Sequence, residues 1–297
     1  MSQRRISVLA TLALLGITAS WGSTFFLIKD LLDRVPVLDF LAVRFVIATL
    51  ALFLMFPRAV GRLSRVKLGH AVVLGALYGT AQILQTTGLA HTPASVSGFI
   101  TGLYVVLTPI FAAPLLRHWI GRMTWLAVAL AVAGLAVLTL QGVSIGYGEV
   151  LTLAAAALYA LHIVGLGAWS TARDAAGMSI VQLAVIAVIC TVASAPHGIV
   201  LPSTSGDWVS LIYMALIAGA LAMAAQTWAQ AHLAPTPAAI IMSMEPVFAA
   251  FFAVLLGGES LTARMLIGGA LVLAAMITVE LAPRRRKIEG EVPHIAV

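Results

Sequence analysis

Residues 242–256 read MSMEPVFAAFFAVLL, an apolar run that contains one acid, Glu245, followed directly by Pro246. An ionisable side chain at membrane depth is costly and usually faces protein or water. Proline removes one helical hydrogen bond, and a freed carbonyl is tolerated in a membrane only where it is buried in protein or lines a cavity. The stretch therefore predicts a membrane helix that is bent beside the interior of the protein.

The composition of the whole chain also indicates an integral membrane protein. Of 297 residues, 61% are hydrophobic and only 9% are charged, whereas a soluble domain carries roughly 25% charged residues. Basic residues lie in short loops and at both ends, not in a stripe with interleaved aromatic residues, so we expect no nucleic-acid partner. The one cysteine, Cys190, lies in an apolar run, so neither a disulfide framework nor a cysteine metal site is predicted.

Charge clusters and Gly/Pro turns divide the chain into ten apolar stretches, each about as long as a spanning helix. Strands do not fit, because membrane strands are short segments of alternating polarity. The first stretch is interpreted as a span and not a signal peptide, because its apolar run continues to about Ile28. We predict an all-α integral membrane protein with ten transmembrane helices. The spans are residues 6–28, 36–56, 68–89, 94–116, 123–141, 149–170, 178–196, 208–231, 237–256 and 263–282.

The distribution of Lys and Arg predicts an orientation. With the N-terminus inside, 13 of the 17 Lys and Arg residues fall in cytoplasmic segments and three in the opposite segments. Cytoplasmic loops of membrane proteins carry such an excess. We therefore expect a multi-pass protein of a bacterial-type inner (plasma) membrane with both termini in the cytoplasm. Residues 283–297 form a basic cytoplasmic tail in this interpretation.

A sequence repeat divides the chain into two halves. LTPIFAA at 107–113 matches MEPVFAA at 244–250, and GALYGTAQ at 75–82 resembles GALAMAAQ at 219–226. With five spans in each half, the second copy enters the membrane from the opposite side. We predict two inverted five-helix repeats, residues 1–141 and 142–282, around a central cavity. Inverted repeats are typical of secondary transporters, although a duplication can also serve only to build a stable bundle.

Polar and aromatic side chains at matching depths are candidate cavity residues. Arg44 lies nine residues into the second span, where a guanidinium suits a substrate carboxylate or, alternatively, a structural role with helix carbonyls. Gln82 and Gln226 are equivalent in the repeat, and their amides can bond a substrate or a neighbouring helix. The candidate cavity residues are Trp21, Thr24, Arg44, Tyr78, Gln82, Thr101, Tyr104, Tyr159, His162 and Gln226.

The acid and the proline of the opening stretch behave differently in the repeat. Pro109 is the counterpart of Pro246, whereas Thr108 stands where the second half has Glu245. The proline therefore predicts a hinge shared by both halves. Two interpretations of Glu245 stay open: a proton-coupling or cation-binding carboxylate, or an acid that bonds across helices near the hinge.

Four stretches together resemble the EamA branch of the drug/metabolite transporter superfamily. They are SWGSTFFLIKD (20–30), LDFLAVRFVIATLAL (38–52), GFITGLYVVLTPIFAA (98–113) and MEPVFAAFFAVLLGGESLT (244–262). The resemblance covers about residues 6–282 in two copies. It implies ten helices, a central cavity and alternating access, usually for export of amino acids, metabolites or small drugs.

We therefore predict a secondary transporter, an exporter of small metabolites (amino acids or related compounds) or drugs, with the bilayer and a small-molecule substrate as partners and protons as a candidate coupling ion. A facilitative exchanger without ion coupling is one alternative. An intramembrane enzyme is another, but it would need a nucleophile–base or metal constellation, and the sequence has no such motif. No enzyme activity, cofactor or metal is expected, and the oligomeric state is left open.

Overall fold

The computed structural model describes residues 3–115, 121–139, 145–171, 173–223, 225 and 241–281. Within these ranges the chain is helical and contains no strand, which confirms the predicted all-α class. The helices are α1 (Gln3–Leu32), α2 (Val37–Met55), α3 (Arg65–Ala90), α4 (Ala94–Gly102), α5 (Tyr104–Leu115), α6 (Arg122–Thr139), α7 (Tyr147–Trp169), α8 (Ala175–Ser194), α9 (Ser205–Ala215, continued by a π-helix at Leu216–Leu221), α10 (Glu245–Leu255) and α11 (Ala263–Leu281).

Helix lengths agree with a membrane protein. Five stretches of the described residues are long and apolar enough to cross a bilayer: Val8–Leu32, Val37–Met55, Ala94–Ala113, Tyr147–Leu166 and Ala175–His197. Four shorter apolar helices accompany them. The predicted span 68–89 lies in α3 but is not among these apolar stretches. The predicted spans 208–231 and 237–256 include residues outside the described part, so ten spanning helices stay a prediction.

Two helices depart from regular α-helical hydrogen bonding. The predicted span 94–116 is divided between α4 and α5 at Leu103, which donates its N–H to the carbonyl of Ile100 at 3.1 Å in a tight turn. On α9 the chain widens instead into the π-helix at Leu216–Leu221. Such departures within helices are frequent at hinges and functional sites.

Glycines allow two pairs of helices to approach closely. A Cβ at Gly98 would lie 2.5 Å from the Cβ of Ala249, and one at Gly102 would lie 2.6 Å from the Cγ of Pro246. Both contacts join α4 to α10. The motif Gly75-x-x-x-Gly79 faces α8 from α3 in the same way. Small residues at this spacing are a common means of packing membrane helices.

Helix packing follows a two-fold pattern. If the helices are paired in the order of the repeat, α1 corresponds to α7, α2 to α8, α3 to α9, α4 and α5 to α10, and α6 to α11. The contact of α3 with α7 then has its counterpart in α9 with α1, and α3 with α8 in α9 with α2. The contact of α1 with α10 corresponds to α7 with α4 and α5, while α2–α8, α4–α10 and α6–α11 correspond to themselves. Each of these packing contacts therefore occurs in both halves or is shared between them.

We expect Gly98→Ala to destabilise the protein, because the new methyl group would overlap Ala249 at the contact between α4 and α10. Overpacking of this kind costs about 1–3 kcal/mol. Thermal unfolding in detergent, followed by intrinsic fluorescence, measures the change. Gly16→Ala on α1 is the matched control, since a Cβ there meets nothing within 4 Å. Equal stability of the two variants would contradict the packing described here.

Candidate functional site

Seven helices bring polar and aromatic side chains together between the two halves. The contacts described below join them into one group, which we call the central cluster. Six of these residues are buried and four are half-buried. The central cluster consists of Arg44, Tyr78, Gln82, Gln85, Thr101, Tyr104, Tyr159, His162, Gln182 and Glu245.

Tyr78 on α3 lies at the middle of the central cluster. Its ring centroid is 5.9 Å from that of Tyr159, 5.3 Å from that of His162 and 6.2 Å from that of Phe45. Its hydroxyl accepts a hydrogen bond from the amide of Gln82 at 3.1 Å. The predicted cavity residues of α3 and α7 therefore form one aromatic surface with polar groups along it.

Gln85 connects three helices and is absent from the residues predicted from the sequence. The hydroxyl of Tyr159 donates to its Oε1 at 2.7 Å, and its Nε2 donates to the hydroxyl of Thr101 at 3.0 Å. Gln85 follows Gln82 by three positions, so both side chains lie on one face of α3. This spacing is the signal that would have identified it.

His162 on α7 pairs with Gln182 on α8. Its Nε2 lies 2.6 Å from the Oε1 of Gln182, whose amide nitrogen donates to the carbonyl of Met178 at 3.1 Å. Because an amide oxygen only accepts, this arrangement places a proton on Nε2 of the histidine. Gln182 corresponds to Arg44 by the repeat, so one position supplies a polar group to the interior in both halves.

Arg44 is a buried cation without a counter-ion in the described part of the chain. Its side chain has 6% exposure, and its Nε has no hydrogen-bond partner. Its Cζ lies 5.3 Å from the ring centroid of Phe45 and 5.8 Å from that of Phe40. Cation–π contacts of this kind contribute some stabilisation, but a buried charge is normally paired as well. The site is therefore suited to an anionic group from outside the chain.

Glu245 is the acidic member of the central cluster. It is the first residue of α10, and its Oε2 accepts a long hydrogen bond of 3.4 Å from the hydroxyl of Tyr104. Arg44 and Glu245 both interact electrostatically with the hydroxyls of Tyr78 and Tyr159. They are not joined by an ion pair in the described structure.

The two prolines occupy different positions in their helices. Pro246 lies in the first turn of α10, where proline needs no helical hydrogen bond, and it packs against Gly102 of α4. Pro109 lies inside α5, five residues after the first residue of that helix, Tyr104. An interruption of the helix precedes each proline, but the number of residues between the interruption and the proline differs. The hinge role stays a prediction.

Three of the other predicted residues lie away from the central cluster or outside the described residues. The indole of Trp21 donates to the carbonyl of Ala218 in the π-helix at 2.9 Å. The hydroxyl of Thr24 donates to the carbonyl of Trp21 at 2.7 Å within α1. Gln226 lies outside the described residues.

A groove of about 300 Å³ lies apart from the central cluster, between α1, α9 and α10. Phe26, Leu27 and Phe252 line it, together with the ring of Tyr213. The hydroxyl of Tyr213 lies 2.9 Å from the hydroxyl of Ser23. The groove is apolar, and it contains none of the residues that were predicted as cavity residues.

Comparisons with known proteins agree with a transporter. The chain is 31% identical over 277 residues to a protein of Archaeoglobus fulgidus named "Uncharacterized transporter", an alignment that covers 92% of this chain and 86% of that protein. It is 26% identical over 297 residues to the "Probable terminal-alkyne amino-acid exporter" of Streptantibioticus cattleyicolor, with 96% and 97% covered. It is also 26% identical over 259 residues to the "Uncharacterized inner membrane transporter YedA" of Escherichia coli strain K12, with 84% and 83% covered.

A comparison with solved structures and a match to a family model point to the same class of protein. A solved crystal structure superposes with a TM-score of 0.63 at 18% sequence identity and covers 91% of this chain and 96% of that chain. The model of the EamA-like transporter family matches twice, over residues 8–140 and 146–281. These two matches span almost the whole chain, as the resemblance noted in the sequence predicts. The chain belongs to the EamA-like transporter family.

Proposed function

We propose that this protein is a secondary transporter that exports small zwitterionic metabolites, amino acids or related compounds, by alternating access. The observation that carries the proposal is the pair of separated charges in the central cluster. Arg44 is buried without a counter-ion, and Glu245 has one long hydrogen bond from Tyr104. A molecule that carries a carboxylate and an ammonium group could satisfy both charges at once.

The chemistry of each charge assigns an orientation to the substrate. The planar fork of Arg44 can bind a carboxylate through two parallel hydrogen bonds. The carboxylate of Glu245 can bind an ammonium group. The rings of Tyr78 and Tyr159 lie in the same cluster and offer an aromatic surface to the body of the molecule. One relative is named a probable amino-acid exporter, which supports this substrate class.

Alternating access requires two halves that can exchange their conformations. The packing contacts that recur in both halves support two inverted five-helix repeats, residues 1–141 and 142–282, with the tail 283–297 after them. The two separate matches to the family model support the same division. Exchange of the two arrangements would open the central cluster first to one side of the membrane and then to the other.

We also propose an inner-membrane location with both termini in the cytoplasm. The distribution of Lys and Arg supports this orientation, and one relative is named an inner membrane transporter. The described contacts are consistent with it, because Lys67 and Asp174 meet at the end assigned to the cytoplasm, while Arg34 and Asp207 meet at the other end.

For the source of energy we favour proton coupling through Glu245 over a hinge role alone. The acid accepts one long hydrogen bond from the hydroxyl of Tyr104, and no basic side chain pairs with it in the described structure. It can therefore change its protonation without breaking an ion pair. Facilitated exchange without ion coupling is the alternative. The experiment on Glu245 below distinguishes it from proton coupling.

Arg44→Lys is expected to lower transport of neutral amino acids at least tenfold, because an ammonium group cannot reproduce the two-pronged contact with a carboxylate. A tenfold loss corresponds to about 1.4 kcal/mol. Counterflow in proteoliposomes, with a panel of labelled amino acids and their carboxamides, measures it. The wild type should prefer the acids to the amides, and the variant should lose that preference. Arg62→Lys, at an exposed arginine, is the matched control; equal transport by both variants would reject carboxylate binding.

Glu245→Gln is expected to weaken counterflow of amino acids, because glutamine lacks the charge that binds the ammonium group. The remaining transport should lose its stimulation by a pH gradient, because glutamine cannot take up or release the proton. The two assays use the same proteoliposomes with and without an imposed gradient. Glu149→Gln, in the first turn of α7, controls for the loss of a carboxylate elsewhere. A Glu245→Gln protein that still responds to the gradient would exclude the coupling role and leave the hinge.

Fusions to the C-terminus test the proposed orientation. Green fluorescent protein should fluoresce there and alkaline phosphatase should be inactive, because the first folds in the cytoplasm and the second requires the periplasm. A fusion at the loop between α8 and α9, residues 198–204, should behave in the opposite way. Active phosphatase at the C-terminus would overturn the assignment.

A further inference from the structure

Two ion pairs link the first half of the chain to the second at opposite ends of the bundle. Arg34, just after α1, binds Asp207 in the first turn of α9, with Nη2 2.7 Å from Oδ1. Lys67, in the first turn of α3, lies with its Nζ 3.7 Å from the Oδ2 of Asp174, which precedes α8. Helix α2 separates Arg34 from Lys67 and, at 1.5 Å per residue, is about 28 Å long.

The two ion pairs join corresponding elements of the two repeats. Ser64 accepts the backbone N–H of Lys67 at the start of α3, and Thr204 accepts that of Asp207 at the start of α9. Lys67 and Asp207 are therefore the same position after the same kind of helix cap, and they are 140 residues apart. Arg34 and Asp174 lie in the loop between the first and second helix of their half. They are 140 residues apart, two more than the offset of 138 that relates Arg44 to Gln182, so they share a loop and not an exact position.

The charges are reversed between the halves in a consistent way. Both positions are basic in the first half, Arg34 and Lys67, and both are acidic in the second half, Asp174 and Asp207. A two-fold relation that exchanges the halves therefore turns one ion pair into the other. The same kind of attraction between halves thus operates at each end of the bundle.

The two pairs differ in how tightly they are closed. Arg34 donates from Nη2 to Asp207 and also from Nε to both of its carboxylate oxygens at 3.2 Å. Lys67 makes no hydrogen bond to Asp174 in the described structure and donates to the backbone carbonyl of Trp169 instead. The Arg34–Asp207 pair is therefore closed by hydrogen bonds, whereas the Lys67–Asp174 pair is not.

We propose that Arg34–Asp207 and Lys67–Asp174 are two alternating ionic clasps that close the opposite entrances to the central cluster, and that this conformation has the Arg34 clasp closed and the Lys67 clasp relaxed. The inference rests on the proposed alternating access. It adds the groups that hold each entrance shut and set the balance between the two conformations.

The clasps have the properties that a reversible closure requires. The hydrogen bonds that Arg34 donates to Asp207 and Asp30 raise the pKa of its guanidinium still further, so it stays charged at physiological pH. The side chains of Arg34 and Lys67 are 39% and 27% exposed, so water can take over their solvation when a pair opens. Partly exposed pairs of this kind stabilise a state only modestly. Loss of one clasp should therefore shift the balance of conformations by about threefold to fivefold without unfolding the protein.

Reporter labelling from each side of the membrane tests the clasps. Thr101→Cys in a Cys190→Ser background places one thiol in the central cluster, and a membrane-impermeant thiol reagent is applied to right-side-out and to inside-out vesicles. Arg34→Gln should raise labelling from the periplasmic side about threefold to fivefold relative to the cytoplasmic side. Lys67→Gln should shift the ratio in the opposite direction. The double variant Arg34→Gln with Lys67→Gln should return the labelling ratio towards that of the reporter protein without either substitution.

The controls separate a clasp from a general effect on stability. Asp33→Asn and Arg65→Gln remove exposed charges next to Arg34 and Lys67 and should leave the labelling ratio unchanged. The exchanged pair Arg34→Asp with Asp207→Arg should restore the ratio that Arg34→Gln shifts. Thermal unfolding of every variant in detergent shows whether it remains folded.

Each outcome decides one question. Labelling of the reporter from both sides, with a ratio that Arg34→Gln and Lys67→Gln shift in opposite directions, supports the clasps. Labelling from both sides with ratios that do not move, or that move in the same direction, overturns the clasps and leaves alternating access intact. Labelling from one side only would instead contradict the proposed function itself.

Discussion

The close approach of α4 to α10 is the contact on which the central cluster depends. Gly98 and Gly102 allow the backbone of α4 to lie against Ala249 and Pro246, and side chains there would hold the two helices apart. Thr101 belongs to the same stretch of α4, and Tyr104 follows the turn at Leu103 directly. The packing of α4 on α10 thus places the hydroxyl of Tyr104 within hydrogen-bond distance of the carboxylate of Glu245. In a membrane, where apolar burial gives little drive for helix association, such tight packing determines which polar groups meet.

The central cluster is stable because most of its polar groups satisfy each other. Gln85 bonds Tyr159 and Thr101, and His162 bonds Gln182. Arg44 is the exception, since its Nε is buried without a partner. A buried charge of this kind is costly in a resting fold and is retained where another molecule completes it. The satisfied groups therefore hold the cluster in shape, and the unsatisfied group is the one that we propose a substrate uses.

Much of this architecture could be predicted from the sequence, because membrane helices follow apolar length and the repeat follows sequence identity. The predicted span 36–56 differs by one residue at each end from α2, Val37–Met55. The turn at Leu103 was not predictable, since Leu103 is an ordinary apolar residue and no proline directly follows it. Seven of the predicted cavity residues meet in the central cluster, but Trp21 and Thr24 bond backbone carbonyls instead. Periodicity identifies the face of a helix, whereas hydrogen-bond partners depend on rotations that a sequence does not encode locally.

The divergence between the halves is informative because their shared fold makes each difference stand out. Arg44 corresponds to Gln182, and Glu245 corresponds to Thr108, so each half contributes one charge that the other lacks. The same is true at the ends, where the first half is basic at Arg34 and Lys67 and the second half is acidic at the matching positions. If both halves carried the basic residues of the first half, both ends would repel, since each contact joins the loop after the first helix of one half to the start of the third helix of the other. Reversal of charge in one half converts both repulsions into attractions, and it does so at both ends of the bundle at once.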